Sequence, residues 1–153
     1  MSVSDSITAG FLPLLDSAIL VAARERGFAE EEGIALTLAR ETSWANIRDR
    51  IAVGHFEMSH MLAPMPIAAN LGLTPMRLDL IAPMSLGLGG NAVTVSRNLW
   101  AAMAGEGAAR PDDPGVIGAA LRGVIQNRRR KGEDPLRFGV VHPHSGHNFE
   151  LRY

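Results

Sequence analysis

The sequence lacks cysteine, is poor in aromatic residues and contains no long apolar run. Without cysteine there is no disulfide, no thiol chemistry and no zinc site built on thiolates. No apolar stretch reaches the roughly 18 to 20 residues that a membrane-spanning helix requires. The formal net charge is only −1 over 153 residues, so the chain as a whole has no bias towards nucleic acid or a charged membrane surface. Any affinity for a charged ligand must therefore come from a local site.

The N-terminus also lacks the features of a secretory leader. The mainly polar residues after Met1 run directly into a strand-like segment, without a basic start, an apolar run or a small-residue cleavage site. We therefore expect a cytoplasmic protein, or a periplasmic one whose leader has been removed. At the other end, Tyr153 falls inside the first turns of a helix candidate, which we interpret as a truncation.

Apolar residues make up 46% of the chain, enough for a buried core, and their spacing alternates between that of strands and that of helices. The strand candidates are residues 6–12, 34–39, 56–61, 78–83, 91–96 and 138–141. The helix candidates begin after Asp16, Ser43 and Ser145, or cover residues 65–70 and 116–130. This alternation predicts an α/β architecture with mainly parallel strands.

Trp44 follows a serine at the predicted start of a helix, so Ser43 is the expected N-cap. A tryptophan in such a place usually packs in the core. The alternative is that its indole N–H, which can only donate, points into a cleft beside the unpaired N–H groups of the helix start. Because helix N-termini attract anions, Ser43 and Trp44 form a candidate anion site.

Histidines mark two further candidate positions. His60 lies where a strand candidate meets a proline-containing helix candidate, and such a histidine is more often structural than a ligand. His142, His144 and His147 lie close enough in sequence to raise the possibility of a metal. However, no cysteine or repeated carboxylate accompanies them. A histidine at the start of a helix, donating to a bound anion, is the favoured alternative.

Two other patterns have ordinary explanations. The glycines between Gly87 and Gly90 lack the spacing of a dinucleotide-binding fingerprint and indicate a hinge or a close backbone approach. The basic run at 128–131 ends a predicted helix, where the dipole favours cations by about 0.3–1 kcal/mol each. We therefore favour a solvated helix end over a nucleic-acid site. Since the sequence has no nucleophile elbow, P-loop or spaced acid pair, we expect no enzymatic activity.

Short blocks along nearly the whole chain form a recognisable pattern. They are GFLPL at 10–14, RGF at 26–28, SWANIRD at 43–49, HMLAPMP at 60–66, GNAV at 90–93, GHN at 146–148 and LRY at 151–153. Together they resemble the nitrate- and bicarbonate-binding proteins of ABC transporters. The blocks that begin at Ser43 and His60 are the most specific.

This resemblance implies a type II periplasmic-binding fold, in which two α/β lobes close over a small planar anion. Residues 1–86 would form the first lobe, and residues 87–153 the crossover and the incomplete start of the second. Trp44, Asn91 and His147 would contact the ligand. The family usually has glutamine where Asn91 stands, and its ligand lysine lies beyond the end of this sequence.

Ser43 and His60 complete the set of ligand-binding candidates, and no cofactor is implied. The expected ligand is nitrate, nitrite or bicarbonate. The resemblance is closest to the cytoplasmic branch of nitrate/nitrite sensors, whose partner is an antiterminator-type regulator; the alternative partner is an ABC permease. The remaining alternatives are a regulatory module that binds a partner protein or RNA, and a pyrimidine-precursor-synthesis enzyme of the same fold. With one wall of the cleft incomplete, we expect the chain alone to bind its anion poorly.

Overall fold

The computed structural model of the protein describes residues 5–87, 89–108 and 113–153. A short 3-10 turn at Leu15–Ser17 precedes the first helix. In chain order, the strands and helices are β1 (Asp5–Phe11), α1 (Ala18–Glu25), α2 (Phe28–Glu31), β2 (Ile34–Arg40), α3 (Trp44–Ala52), β3 (Met58–Ser59), α4 (Pro64–Asn70), α5 (Arg97–Gly105), α6 (Pro114–Arg130) and α7 (Gly146–Arg152).

The described residues form two compact units. One combines the residues up to Asn91 with those from Val140 onward, and the other comprises residues 92–139. The change from the first unit to the second after Asn91 lies close to the expected lobe boundary after residue 86. Residues 140–153, expected in the second lobe, pack instead with the first unit, for example through the hydrogen bond from Asn91 to Glu150. The assignment of lobes within a larger two-lobed protein stays a prediction.

The first unit is built on a three-stranded parallel sheet in the order β2–β1–β3. β1 pairs with β2 from Asp5 opposite Ile34 to Phe11 opposite Arg40, and it pairs with β3 at Ala9 and Gly10. The sheet confirms the expected α/β class with parallel strands. The buried core beside it consists of Leu12, Trp44, Ile47, Phe56 and Met65.

Gly10 on the central strand allows the close packing of this core. A Cβ atom at this position would overlap the ring of Phe56, well inside van der Waals contact. Phe56 is itself only 4% exposed, so the ring has little freedom to move away. The absence of a side chain at Gly10 therefore lets an aromatic ring lie directly on the strand.

Most helix starts agree with the sequence. Ser43 caps α3 by accepting the N–H of Asn46, and Ser145 caps α7 by accepting the N–H of Asn148. The expected cap at Asp16 is wrong. Asp16 lies within the 3-10 turn, and its carboxylate lies against His60, 44 residues away. Ser17 precedes α1 without capping it, because its hydroxyl donates to the carbonyl oxygen of Leu14.

The predicted strands at 78–83, 91–96 and 138–141 are wrong: the structure gives them no strand pairing. A strand needs a neighbour to satisfy its backbone groups, and these segments have none among the described residues. The candidate at 56–61 shortens to Met58–Ser59. The expected polar loop at 105–114 and the glycine segment at 87–90 fall partly outside the described residues.

The second unit is a helical hairpin of α5 and α6. Its core consists of Met103, Ala108, Ala120 and Val124. The basic run ends α6 as predicted, and Arg128 contacts the Glu133 carboxylate at 2.8 Å and the carbonyl oxygen of Asp134. No helix in the described part of the chain is long and apolar enough to cross a membrane.

Candidate functional site

The candidate site lies at the carboxyl edge of the sheet. Because the strands are parallel, the residues that follow them emerge at the same edge. His60 directly follows β3, and Glu41 directly follows β2. Trp44 begins α3 three residues later. Ligands of open α/β sheets bind outside this edge, so the fold places Ser43, Trp44 and His60 where such a ligand would lie.

Trp44 combines a buried ring with an available donor. The residue is 6% exposed and belongs to the core, and its ring meets that of His60 edge-on at a centroid distance of 4.9 Å. The indole N–H donates to no acceptor within residues 5–87, 89–108 and 113–153. It is also not among the fully buried unpaired polar atoms, so it keeps access to solvent. Both interpretations of Trp44 from the sequence are thus compatible with this geometry.

The backbone at the start of α3 adds two further donors. The Ser43 hydroxyl accepts a hydrogen bond from the N–H of Asn46 at 3.1 Å. The N–H groups of Trp44 and Ala45 have no acceptor in the described part of the chain. These two N–H groups, together with the indole, place three unpaired donors in adjacent residues. The positive end of the helix dipole adds to their attraction for an anion.

His60 is held as part of the core. It is 2% exposed, and its Nε2 lies 3.0 Å from the Asp16 carboxylate. Since a carboxylate only accepts, Nε2 carries the proton of this hydrogen bond. The other ring nitrogen, Nδ1, and the neighbouring Ser59 hydroxyl are buried without a described hydrogen-bond partner. His60 therefore presents no nitrogen to solvent in this structure and supports the edge of the Trp44 ring.

Glu41 is a buried acid that the sequence analysis missed. It is 5% exposed, forms an ion pair with Arg50 and accepts a hydrogen bond from the Asn46 side chain at 3.2 Å. The Arg50 guanidinium also lies over the Phe56 ring, 5.2 Å from its centroid. The connection from β2 to α3, which positions Trp44, is thereby tied to two turns of α3. The sequence carries no local signal for this pairing, because the two charges are nine residues apart.

Asn91 and His147 come together at α7. The Asn91 amide nitrogen donates to the Glu150 carboxylate at 2.9 Å. It also lies 2.8 Å from the place where a Cβ atom at Gly146 would be. His147 is half-buried, and its Nδ1 is buried without a described partner, whereas its Nε2 is not among such atoms. No hydrogen bond among the described side chains links Asn91 or His147 to Trp44, so the ligand roles stay predictions.

His142 sits in the turn that leads to α7. Burial lowers its pKa, as do the nearby charges of His144 and Arg48, while Asp49 acts in the opposite direction. Its Nδ1 accepts the backbone N–H of His144 at 3.0 Å. Within the described residues, no group of three or more histidine or acidic side chains is arranged to hold a metal ion.

Comparison with known proteins identifies the family. The model of the NMT1-like family matches residues 2–153. The chain belongs to this family. It is 33% identical over 146 residues to the bicarbonate transport ATP-binding protein CmpC of Synechocystis sp., a match that covers 94% of this chain and 20% of that protein. It is 24% identical to the nitrate/nitrite binding protein NrtA of Nostoc sp., covering 94% of this chain and 31% of that protein.

A further relative is the bicarbonate-binding protein CmpA of Synechococcus elongatus, 23% identical over 97% of this chain and 32% of that protein. Among solved structures, the periplasmic nitrate-binding protein NrtA from Synechocystis matches 45% of this chain and 19% of that chain, with a TM-score of 0.43 and 30% identity. The chain thus spans about a fifth to a third of the length of these three curated relatives. The resemblance to nitrate- and bicarbonate-binding proteins, and with it the periplasmic-binding-protein-like class, is confirmed.

Proposed function

We propose that this chain forms part of a binding site for a small planar oxyanion: nitrate, nitrite or bicarbonate. The observation that carries the proposal is the group of unpaired donors at the start of α3, formed by the Trp44 indole and the N–H groups of Trp44 and Ala45. A planar oxyanion presents acceptor oxygens around its edge, so a site for it needs converging donors. The buried Trp44 ring makes one of these donors rigid.

The relatives support this ligand class. NrtA of Nostoc sp. is a nitrate/nitrite binding protein, and CmpA is a bicarbonate-binding protein. CmpC is an ATP-binding protein, but the sequence of this chain has no GxxxxGK[ST] phosphate-binding loop. The segment that this chain shares with CmpC is therefore better explained by solute binding than by nucleotide binding.

Asn91 and His147 are proposed as the second group of ligand contacts. With one amide N–H given to Glu150, Asn91 retains a second N–H for an anion oxygen. His147 has its Nε2 available, since this atom is neither paired nor fully buried among the described residues. Ser43 and His60 act indirectly in this proposal: Ser43 caps α3, and His60 supports the Trp44 ring.

The proposed role is binding without chemistry. The acid–histidine pair at this edge, Asp16 with His60, has no hydroxyl hydrogen-bonded to it in the described part of the chain, so this pair does not activate a nucleophile there. Another protein would recognise the anion-bound form. An ABC permease is the partner that the transport relatives favour, and an antiterminator-type regulator is the sensor alternative.

Calorimetric titration of the complete gene product tests the ligand class. Nitrate, nitrite and bicarbonate would be compared with chloride, a monovalent anion without planar oxygens. We expect saturable binding of at least one planar oxyanion and much weaker binding of chloride. No saturable binding of the oxyanions, or equal binding of chloride, would contradict the proposal.

A further inference from the structure

The outer edge of β2 has no pairing strand among the described residues. β1 is the strand that pairs with β2. Hydrogen bonds at the two ends of their ladder, from Asp5 to Gly33 and from Glu41 to Phe11, fix which groups face β1. Because these groups alternate along a strand, the N–H and C=O groups of Ile34, Leu36, Leu38 and Arg40 point outward. No other hydrogen bond of these backbone groups occurs among the described residues.

This edge lacks several of the features by which proteins usually prevent edge pairing. Such features are proline, lysine, a bulge, a very short strand or a charge that points inward. β2 is seven residues long, contains neither proline nor lysine, and keeps a regular register with β1. Its one charged residue, Arg40, stands at the end of the strand. An open hollow of about 240 Å³ adjoins the start of the strand and is lined in part by Ile34 and Leu36.

The sequence of β2 is symmetric about its centre. The central segment from 35 to 39 is Ala-Leu-Thr-Leu-Ala, which is the same in both directions around Thr37. We propose that this edge pairs in antiparallel orientation with the same edge of a second copy of the chain, with the two-fold axis at Thr37. Each of the five central residues then lies opposite its own residue type.

The backbone geometry fits this register. Leu36 lies opposite Leu38 of the second copy, and Ile34 lies opposite Arg40, so all the outward N–H and C=O groups of both strands are hydrogen-bonded. Thr37 forms the non-hydrogen-bonded pair at the axis, where Cα atoms are only about 4.5 Å apart. Its side chain is exposed and is free to meet that of the second copy.

The charges are also complementary. Two residues before the strand, Glu32 is the last of three consecutive acids. Glu32 lies outside the strand, in the turn at the end of α2. Because Arg40 is opposite Ile34 of the second copy, the antiparallel register brings it to the end of β2 that follows this acidic turn. The acidic turn of each copy therefore meets the one basic residue of the other edge, and each such contact occurs twice around the axis.

Sedimentation of the full chain at increasing concentration tests the proposal. It is carried out on the wild type and on a variant with a charge at the two-fold axis. We expect wild-type protein to form dimers, and Thr37→Lys to weaken self-association by roughly tenfold, because it sets two like charges directly opposite each other. Ala35→Lys is the matched control. It adds the same charge to the same exposed face of β2, but opposite Ala39, so its effect is expected to be much smaller.

A charge-swap experiment tests the register at Thr37. Thr37→Lys and Thr37→Glu should each dimerise poorly alone, whereas an equal mixture should form heterodimers, since lysine then faces glutamate. Circular dichroism verifies that the variants are folded. A wild-type protein that stays monomeric at all concentrations, a dimer that both lysine variants weaken equally, or a mixture that does not associate would each overturn the proposal.

Discussion

Replacing Trp44 by phenylalanine separates the two roles of this residue. Phenylalanine keeps an aromatic ring in the core but has no N–H. A hydrogen bond to a charged acceptor contributes about 1.5–3 kcal/mol, and 1.4 kcal/mol corresponds to a tenfold change in Kd. We therefore expect Trp44→Phe to weaken oxyanion binding by roughly 10- to 150-fold. The loss of folding stability should be smaller than the about 3–5 kcal/mol of a truncation to alanine, because phenylalanine keeps a ring packed against Leu12 and Ile47.

The same experiment with alanine would be ambiguous. Trp44→Ala would remove the buried ring, cost about 3–5 kcal/mol of stability and lower binding for reasons unrelated to the N–H. Isothermal titration calorimetry of Trp44→Phe, with its unfolding free energy measured by urea denaturation, avoids this ambiguity. Trp100→Phe is the control, because Trp100 packs against the core of the second unit. An unchanged Kd in Trp44→Phe would refute the donor role and leave Trp44 as a core residue.

Three further predictions concern the first unit. Gly10→Ala should lower the unfolding free energy by about 1–3 kcal/mol through overlap with Phe56; a urea midpoint equal to that of wild type would contradict the close packing. Glu150→Ala should shift the side-chain NH₂ resonances of Asn91, whose hydrogen bond it removes, and unmoved resonances would show that the contact is absent in solution. Because the folded state lowers the pKa of His142, the unfolded state binds more protons just below pH 6.5, so stability falls as the pH drops from 6.5 towards the lowered value. His142→Asn, which keeps an acceptor for the backbone N–H, should reduce this acid sensitivity, and an identical pH dependence would contradict the assignment.

The sequence predicted the elements whose signals are local. β1 and β2 have apolar β-forming residues, and α3 begins at a serine cap that accepts the N–H three residues later. The helical spacing of apolar residues over 116–130 likewise predicted α6. For the candidate site, Ser43 and Trp44 could be placed together from the cap alone. Their position at the carboxyl edge of the sheet follows from the parallel order of the strands.

Features that depend on distant contacts could not be predicted from local patterns. Asp16 stands where a cap would be, but its carboxylate contacts His60. Glu41 has no local sign of burial, since its counter-charge Arg50 lies on the second turn of α3. The apolar segments at 78–83 and 138–141 have strand-like composition but no described neighbouring strand. Helix α5 is not predicted although Ser96 caps it, because the apolar alternation of residues 91–96 favours a strand.

Nuclear magnetic resonance of the indole N–H groups tests the central claim most directly. The chain has two tryptophans, and the Trp44→Phe and Trp100→Phe variants each identify one indole signal by its loss. On titration of nitrate, nitrite or bicarbonate into the ¹⁵N-labelled complete gene product, we expect saturable shifts of the Trp44 indole and of the backbone N–H groups of Trp44 and Ala45. The Trp100 indole should not move. Anion binding that leaves the Trp44 signals unchanged, or that shifts both indoles alike, would contradict the placement of the oxyanion site at the start of α3.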